Sequence, residues 1–461
     1  MNLDLVDKLV TGEVFSSDRA FRHLLFLCDD LGSRFAGTPQ ERRAAEYIAE
    51  QLGEFGYEPV IETFEFIGWQ RGTASLEVLS PLRRELPALA LPYSPPADLT
   101  AELVSVGEGE AEDFARVGDR LAGKIALCAA ETTPAPGRRA SHRREKYRRA
   151  VEAGAVGFIF WNQNPGQMII TGSLASDAEA PIPGFGISRE SGLFLLRLLG
   201  RGPVTVRLTG GGHAVRLTSQ NVVADLPGRS DGLVVVGAHY DGHDVAQGAL
   251  DNAAGTVVGL EIARALRAAL TEPLERTVRF IFFGAEEVGL VGSWRYAERH
   301  RDELGRVVFM LNLDTAARGR LGTECLVLTG WPELVGYFRD LGRRLGYEFG
   351  VEDRFNTHSD HFPFAVAGIP TATLTSNDRA EGLVGRGWGH TPADTVDKVS
   401  PKALQGAAMV GARVVLAVAA GQDLAGLRRS PAELEPFLLE ERLLDELRQK
   451  GRFPLTVHQG E

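Results

Sequence analysis

Glu286 and Glu287 stand side by side in "FIFFGAEEVGLVGS", a run whose opening residues are apolar enough for a buried strand. Burying an unpaired carboxylate is costly, so such a pair calls for a cation or a proton nearby. Other chemistry-bearing residues also follow apolar runs. His239 and Asp241 come after "LVVVGA", Asp251 precedes the helical pattern "NAAGTVVGLEIARALRAAL", and Asp314 closes "VVFMLNLD". His390 stands in the glycine-flanked loop "GWGHTPADTVDKV". Each has a plain structural use alone. Asp251 would serve as a helix N-cap worth about 1 kcal/mol, and His239 with Asp241 would make a hydrogen-bonded turn. Independent caps, however, need not fall at consecutive strand ends and leave a cluster of uncompensated acids.

A bound cation is the simplest resolution, and two fit better than one. Two histidines with three carboxylates exceed the roughly four ligands of a single zinc. They suit two divalent ions about 3.5–4 Å apart that share one carboxylate. One of the adjacent glutamates then holds a metal while the other handles the proton.

The elements that must position these residues are legible in the hydropathy pattern. Beyond about residue 213, continuous apolar strands alternate with amphipathic helices, ending in the long helix "PKALQGAAMVGARVVLAVAA". Strands apolar on both faces indicate an α/β fold with a mostly parallel, mixed sheet flanked by helices. In such sheets ligands bind at the carboxyl ends of the strands. Residues 1–83 read as helices followed by a strand and form the N-terminal part of the same domain. Residues 84–212 are richer in Pro, Gly and short strands and read as a small inserted β-rich domain. Residues 213–424 form the main part with the metal site, and 425–461 read as a charged amphipathic helix with a loose tail, used for packing.

A chain of 461 residues with 44% hydrophobic and 24% charged residues has the composition of a globular protein with a sizeable core. The net charge of −11 argues against nucleic acid as a partner. Cys28, Cys128 and Cys325 are isolated, with no CxxC spacing, and read as buried thiols. The first residues lack the basic and apolar regions of a signal peptide, and no uncharged apolar run of about 20 residues appears. A cytoplasmic location without membrane association is therefore expected. The basic run Gly137–Arg149 is expected to be an exposed loop and helix face. "GDRLAGKI" departs from a phosphate-binding loop at Ile125, where Ser or Thr is needed. No GxSxG or HExxH occurs.

The motifs "HYDGH…GALDNAAG", "FFGAEEVGLVGS", "LNLD" and "GHTPADT" resemble, in order, those of the co-catalytic zinc metallopeptidases of the bacterial leucyl aminopeptidase and glutamate carboxypeptidase II type, a superfamily that includes the transferrin receptor. "LGSRFAGTPQERRAAEYIAEQL" is similar to that family's N-terminal segment, and residues 84–212 resemble its inserted protease-associated (PA) domain. The resemblance implies two zinc ions, with His239 and Asp314 on one, Glu287 and His390 on the other, and Asp251 bridging. It implies Glu286 as the general base acting on the water between the metals, and Asp241 as the carboxylate orienting His239. Asp394 would orient His390 in the same way. His358, Asp360, His361 and Arg318 are candidates for substrate contact, with helix capping or loop ordering as their structural alternatives.

The implied activity is exopeptidase hydrolysis of peptide substrates. An aminopeptidase ranks ahead of a carboxypeptidase or dipeptidase, a glutaminyl-cyclase-like acyltransferase and, last, a non-catalytic receptor-like module. A homo-oligomer is left open.

Overall fold

The computed structural model describes residues 2–131, 141–378, 382–421 and 424–455. Its centre is the strand Leu233–His239, buried along its whole length. Thr277–Phe283 and Val307–Leu313 flank it in parallel register, and Thr371–Ser376 continues the parallel order beyond Val307–Leu313. Glu324–Leu328 then pairs antiparallel with Thr371–Ser376. On the other side the long strand Thr205–Leu226 pairs antiparallel with Thr277–Phe283, which makes the sheet mixed. The helices Ala254–Ala269 and Pro401–Ala419 pack on each other and on this sheet, with Ala, Val and Leu filling the layer between.

The register brings the carboxyl ends of three adjacent parallel strands level. His239 lies directly across from Phe283, and Gly237 across from Asn312. The residues just past these ends are therefore neighbours across strands spaced about 4.8 Å apart.

Residues 84–212 form a second lobe, with the strands Ala97–Ser105, Ile125–Ala129, Gly157–Trp161 and Gly184–Ile187. The sheet does not stop between the lobes. Thr205–Leu226 pairs with Ala97–Ser105 near its start and with Thr277–Phe283 near its end, while Val60–Ser80 runs beside it throughout. The insert is thus an extension of the same sheet, with its own apolar layers.

Two expectations need correction. The basic run is not merely an exposed face. Residues 137–140 lie outside the described residues, but the helix Arg143–Glu152 buries Arg143 and Lys146. Lys146 can be buried because its ammonium donates to the carbonyls of Ala129 and Ala130, and Arg143 Nε donates to Ser173 O. The C-terminal segment forms two short helices, Pro431–Glu440 and Leu444–Gln449, because the chain breaks at Arg442, whose φ is 57°. Leu434, Leu438, Leu444, Leu447, Phe453 and Leu455 pack into one cluster with the Leu233–His239 face of the sheet, and the tail from residue 456 lies outside the described residues. The helix Pro401–Ala419 has the length to cross a membrane and an 18-residue window of mean hydropathy 1.4, yet 78% of that window is buried, as in a core helix. Cys28, Cys128 and Cys325 are free and buried.

Near the N-terminus His23 is buried with its Nδ1 2.7 Å from the Tyr47 hydroxyl. Burial, with Arg19, Arg22 and Arg264 adding to it, pushes its pKa down to about 4. A depressed folded-state pKa contributes stability that is intact above the unfolded value near 6.5 and is lost as pH falls through 4. Between those limits this residue should cost on the order of 3 kcal/mol. Thermal melts from pH 7 to pH 4 should therefore fall less steeply for His23→Gln than for the native chain.

Candidate metal centre

The three strand ends deliver their side chains to one place. His239 ends the central strand, and Asp314 follows Leu313 on its neighbour. Glu286 and Glu287 lie in the turn between the strand Thr277–Phe283 and the helix Val291–Arg299. Gly284 is required in that turn. A Cβ there would lie 2.4 Å from Ser219 Oγ and 2.8 Å from the Tyr240 hydroxyl, so the strand end could not pack so closely. Asp251 precedes the helix Ala254–Ala269 in a non-helical turn, and His390 comes from the loop before the last core helix.

Two donor groups result. His239, Asp251 and Asp314 offer ligand atoms within 4.8 Å of one another, and so do His243, Glu287 and His390. Asp251 faces both groups, with Oδ1 3.4 Å from His239 Nε2 and Oδ2 3.3 Å from His390 Nε2. Ligand atoms about 2.0–2.1 Å from a tetrahedral zinc are about 3.3 Å apart, so these separations suit shared coordination. His239 Nε2, Glu287 Oε1, His390 Nδ1 and both nitrogens of His243 are buried without a hydrogen-bond partner. A site with so many unpartnered N and O donors fits divalent zinc. His243 was not among the ligands expected from the sequence.

The electrostatics reflect crowding of both signs. Burial disfavours the charged form of His239, but Glu286 and its contacts with Asp241 and Asp251 raise its pKa well above the usual value. Burial raises Glu286, and Glu287, Asp360 and Asp314 add repulsion that His239 only partly offsets. Burial works against Glu287 too, yet His243 and His390 hold it far below the ordinary carboxylate range. The two adjacent glutamates are thus driven apart, one towards holding a proton and the other towards permanent ionisation. Such a split marks an acid–base residue beside a ligand.

The surrounding residues hold the loops in place. Asp241 has its carboxylate turned to the backbone N–H groups of Glu286 and Glu287, at 3.0 and 3.2 Å, while His239 Nδ1 lies 3.2 Å from the Asp241 carbonyl oxygen and 3.5 Å from its carboxylate. It therefore ties two strand ends together besides contacting His239. Asp394 does not hydrogen-bond His390 as expected. It accepts from the N–H groups of Leu250 and Asp251, at 2.7 and 3.1 Å, and so fixes the loop carrying the shared carboxylate. Burial pushes its pKa up to about 7. Asn252, fully buried, donates to the carbonyls of His239 and Leu313 and accepts from Thr315 N–H.

The substrate candidates divide. His358 lines the main cavity and stacks on His142 of the smaller lobe, with ring centroids 3.9 Å apart. Arg318 lines an adjoining cavity and donates to Gly385 O at 2.7 Å, which orders a loop. His361 and Asp360 are fully buried and line neither cavity. His361 Nε2 lies 3.0 Å from Asn356 O, and burial pushes its pKa down to about 4. Asp360 sits behind the site, pushed up to about 7 by burial. Arg386, not singled out from the sequence, places Nη1 3.3 Å from Asp251 Oδ2 and 3.1 Å from His390 Nε2.

Arg34, also not singled out, has its guanidinium wholly buried, donating to the carbonyls of Tyr240, Leu27, Gly32, Gln247 and Gly248. It joins the N-terminal segment to both ends of the loop between His239 and Asp251. Arg34→Met would leave several of those carbonyls unsatisfied, at about 1–3 kcal/mol each. Denaturant titration should show a loss of at least about 3 kcal/mol, and equilibrium dialysis should show weaker zinc binding.

Comparisons with known proteins agree with this arrangement. The profile of peptidase family M28 matches residues 221–415, and that of the PA domain residues 99–195. Aminopeptidase YwaD of Bacillus subtilis is 30% identical over 401 residues, covering 85% of this chain and 82% of its own. The crystal structure of a peptidase M28 precursor from Shewanella amazonensis is 25% identical and superimposes with a TM-score of 0.78 over 93% of this chain and 98% of its own. BSAP, described as a zinc aminopeptidase from Bacillus subtilis, is 29% identical with a TM-score of 0.66 over 86% of this chain and 94% of its own. With both the two-group donor cluster and the inserted lobe in place, the chain belongs to peptidase family M28.

Proposed function

We propose that this chain is a zinc-dependent exopeptidase that removes N-terminal residues from peptides, an aminopeptidase. The observation that carries the reading is the pair of donor groups facing a shared Asp251, with Glu286 on the wall of the same cavity. BSAP and YwaD, described as a zinc aminopeptidase and an aminopeptidase, point the same way. Zinc ions held by His239, Asp251 and Asp314 and by Glu287, His390 and Asp251 would polarise the scissile carbonyl and lower the pKa of water.

The chain's own residues supply the rest. Glu286, half-buried and raised in pKa, takes the proton of the attacking water and gives it to the leaving amine. Asp241 anchors the backbone from which Glu286 and Glu287 project. Leu290, Trp294 and Phe362 line the cavity, offer an apolar side chain a place to rest, and limit water.

A carboxypeptidase or dipeptidase reading is favoured by one observation. Arg143 and Arg386 line the cavity, Arg143 is 8% exposed, and it has no carboxylate partner among the described residues. Two guanidinium groups suit a terminal carboxylate. A panel of aminoacyl anilides, free dipeptides and N-blocked peptides separates the readings. Turnover of the anilides is expected; cleavage confined to N-blocked peptides would reverse the assignment. Glu286→Gln should lower kcat by about 10²–10⁴-fold with zinc content unchanged. Activity retained by that variant would remove Glu286 as the base.

A further inference from the structure

His243 lies outside the ligand set implied by the sequence, yet it sits against the second donor group. It is 4% exposed, and its Nε2 is 3.1 Å from Glu287 Oε2, the oxygen that His390 Nε2 approaches at 3.2 Å. The His243 and His390 rings meet edge to face, with centroids 4.4 Å apart. Two imidazole nitrogens converging on one carboxylate oxygen at 3.1–3.2 Å outline a face of a coordination polyhedron, since zinc ligands at about 2.0–2.1 Å have edges of about 3.3 Å.

Two further observations bear on the role. Neither His243 nitrogen completes a hydrogen bond, although a buried imidazole ordinarily uses at least one. The residue is also held rigidly. Phe35 stacks on its ring, and the next residue, Asp244, is clamped by Arg71, whose Nε and Nη2 donate to its two carboxylate oxygens. A ring stacked on one face, on a backbone clamped at the next residue and with unpartnered nitrogens, is arranged as a preorganised ligand is.

Contact with substrate does not explain it. His243 is absent from the wall of the main cavity, where Glu286, Glu287 and His390 appear. It lines instead a small adjoining pocket together with Asp251, Glu287 and His390. A peptide in the main cavity would meet Glu287 and His390 and not His243.

We propose that His243 is a direct ligand of the ion held by Glu287, His390 and Asp251. That site then has four protein donors, against three for the site of His239, Asp314 and Asp251. Both carry one carboxylate of their own and half of Asp251, so the extra imidazole separates them. The ion beside His243 is retained, and the ion beside Asp314 exchanges first. This rests on the two-metal reading above.

The test uses the full chain loaded with ¹¹³Cd and labelled with ¹⁵N-histidine, alongside chelator titration of the zinc form. Cadmium–nitrogen couplings to three histidines, His239, His243 and His390, are expected. Zinc should leave the native protein in two steps. In His243→Phe and His243→Gln the tighter step should weaken by at least about 100-fold, beyond the 10–100-fold usual for an outer partner of a ligand. The remaining ion would report that both variants are folded. Couplings to His239 and His390 alone, or two unchanged steps in both variants, would overturn the proposal. A native chain that binds fewer than two ions would instead overturn the two-metal reading.

Discussion

Carboxylates gathered in a protein interior cannot all stay ionised unless positive charge stands among them. Asp251, Glu286, Glu287 and Asp314 impose that constraint here, because parallel register brings three strand ends level beside the loop that carries Asp251. Imidazoles from His239, His243 and His390 and the guanidinium of Arg386 answer part of it. The rest of the local architecture keeps these groups from drifting apart. Asp241 binds one strand end to the next turn, Asn252 joins two strand ends, and Asp394 holds the loop of the shared carboxylate. Arg34 brings the N-terminal segment into the same framework. A polar network of this kind is worth its burial only when nearly every member is satisfied.

The strands, the helices between them and the residues at their ends were legible because continuous apolar runs and chemistry-bearing punctuation coincide in the sequence. His239, Asp251, Glu287, Asp314 and His390 all stand at such points. His243 was harder to see: it lies inside a loop, four residues past the strand, and nothing in its spacing separates a ligand from a solvated side chain. Arg34 and Asn252 act on backbone carbonyls, and the sequence holds no signal for which carbonyls will be left unpartnered. Asp394 misled through its position. Being one turn beyond His390 suggested a partnership with that ring, whereas the loop folds so that its carboxylate reaches the opposite segment.

The smaller lobe was recognisable as a change of composition, but its part in the cleft was not. Arg143 and Lys146 belong to a run that looks like any solvated basic surface. Lys146 is buried because unpaired carbonyls await its ammonium, while Arg143 is turned towards the cavity. The C-terminal segment likewise supplies Glu441 and Arg442, from the break between its two helices, and Glu446 to the cavity wall. The cavity wall is thus drawn from three regions of sequence, only one of which carries the metal-ligand candidates.

The strands Val60–Ser80 and Thr205–Leu226 pass from one lobe into the other, paired on both sides of a register shift between Arg71 and Ala74. Two antiparallel strands paired in this way act as a cantilever beam, stiff against bending in the plane of the sheet and most pliant where the pairing lapses. The overhanging lobe therefore behaves less as a door than as an eave. What passes beneath it is set first by clearance, and an extended peptide end needs less of it than a bulky folded chain.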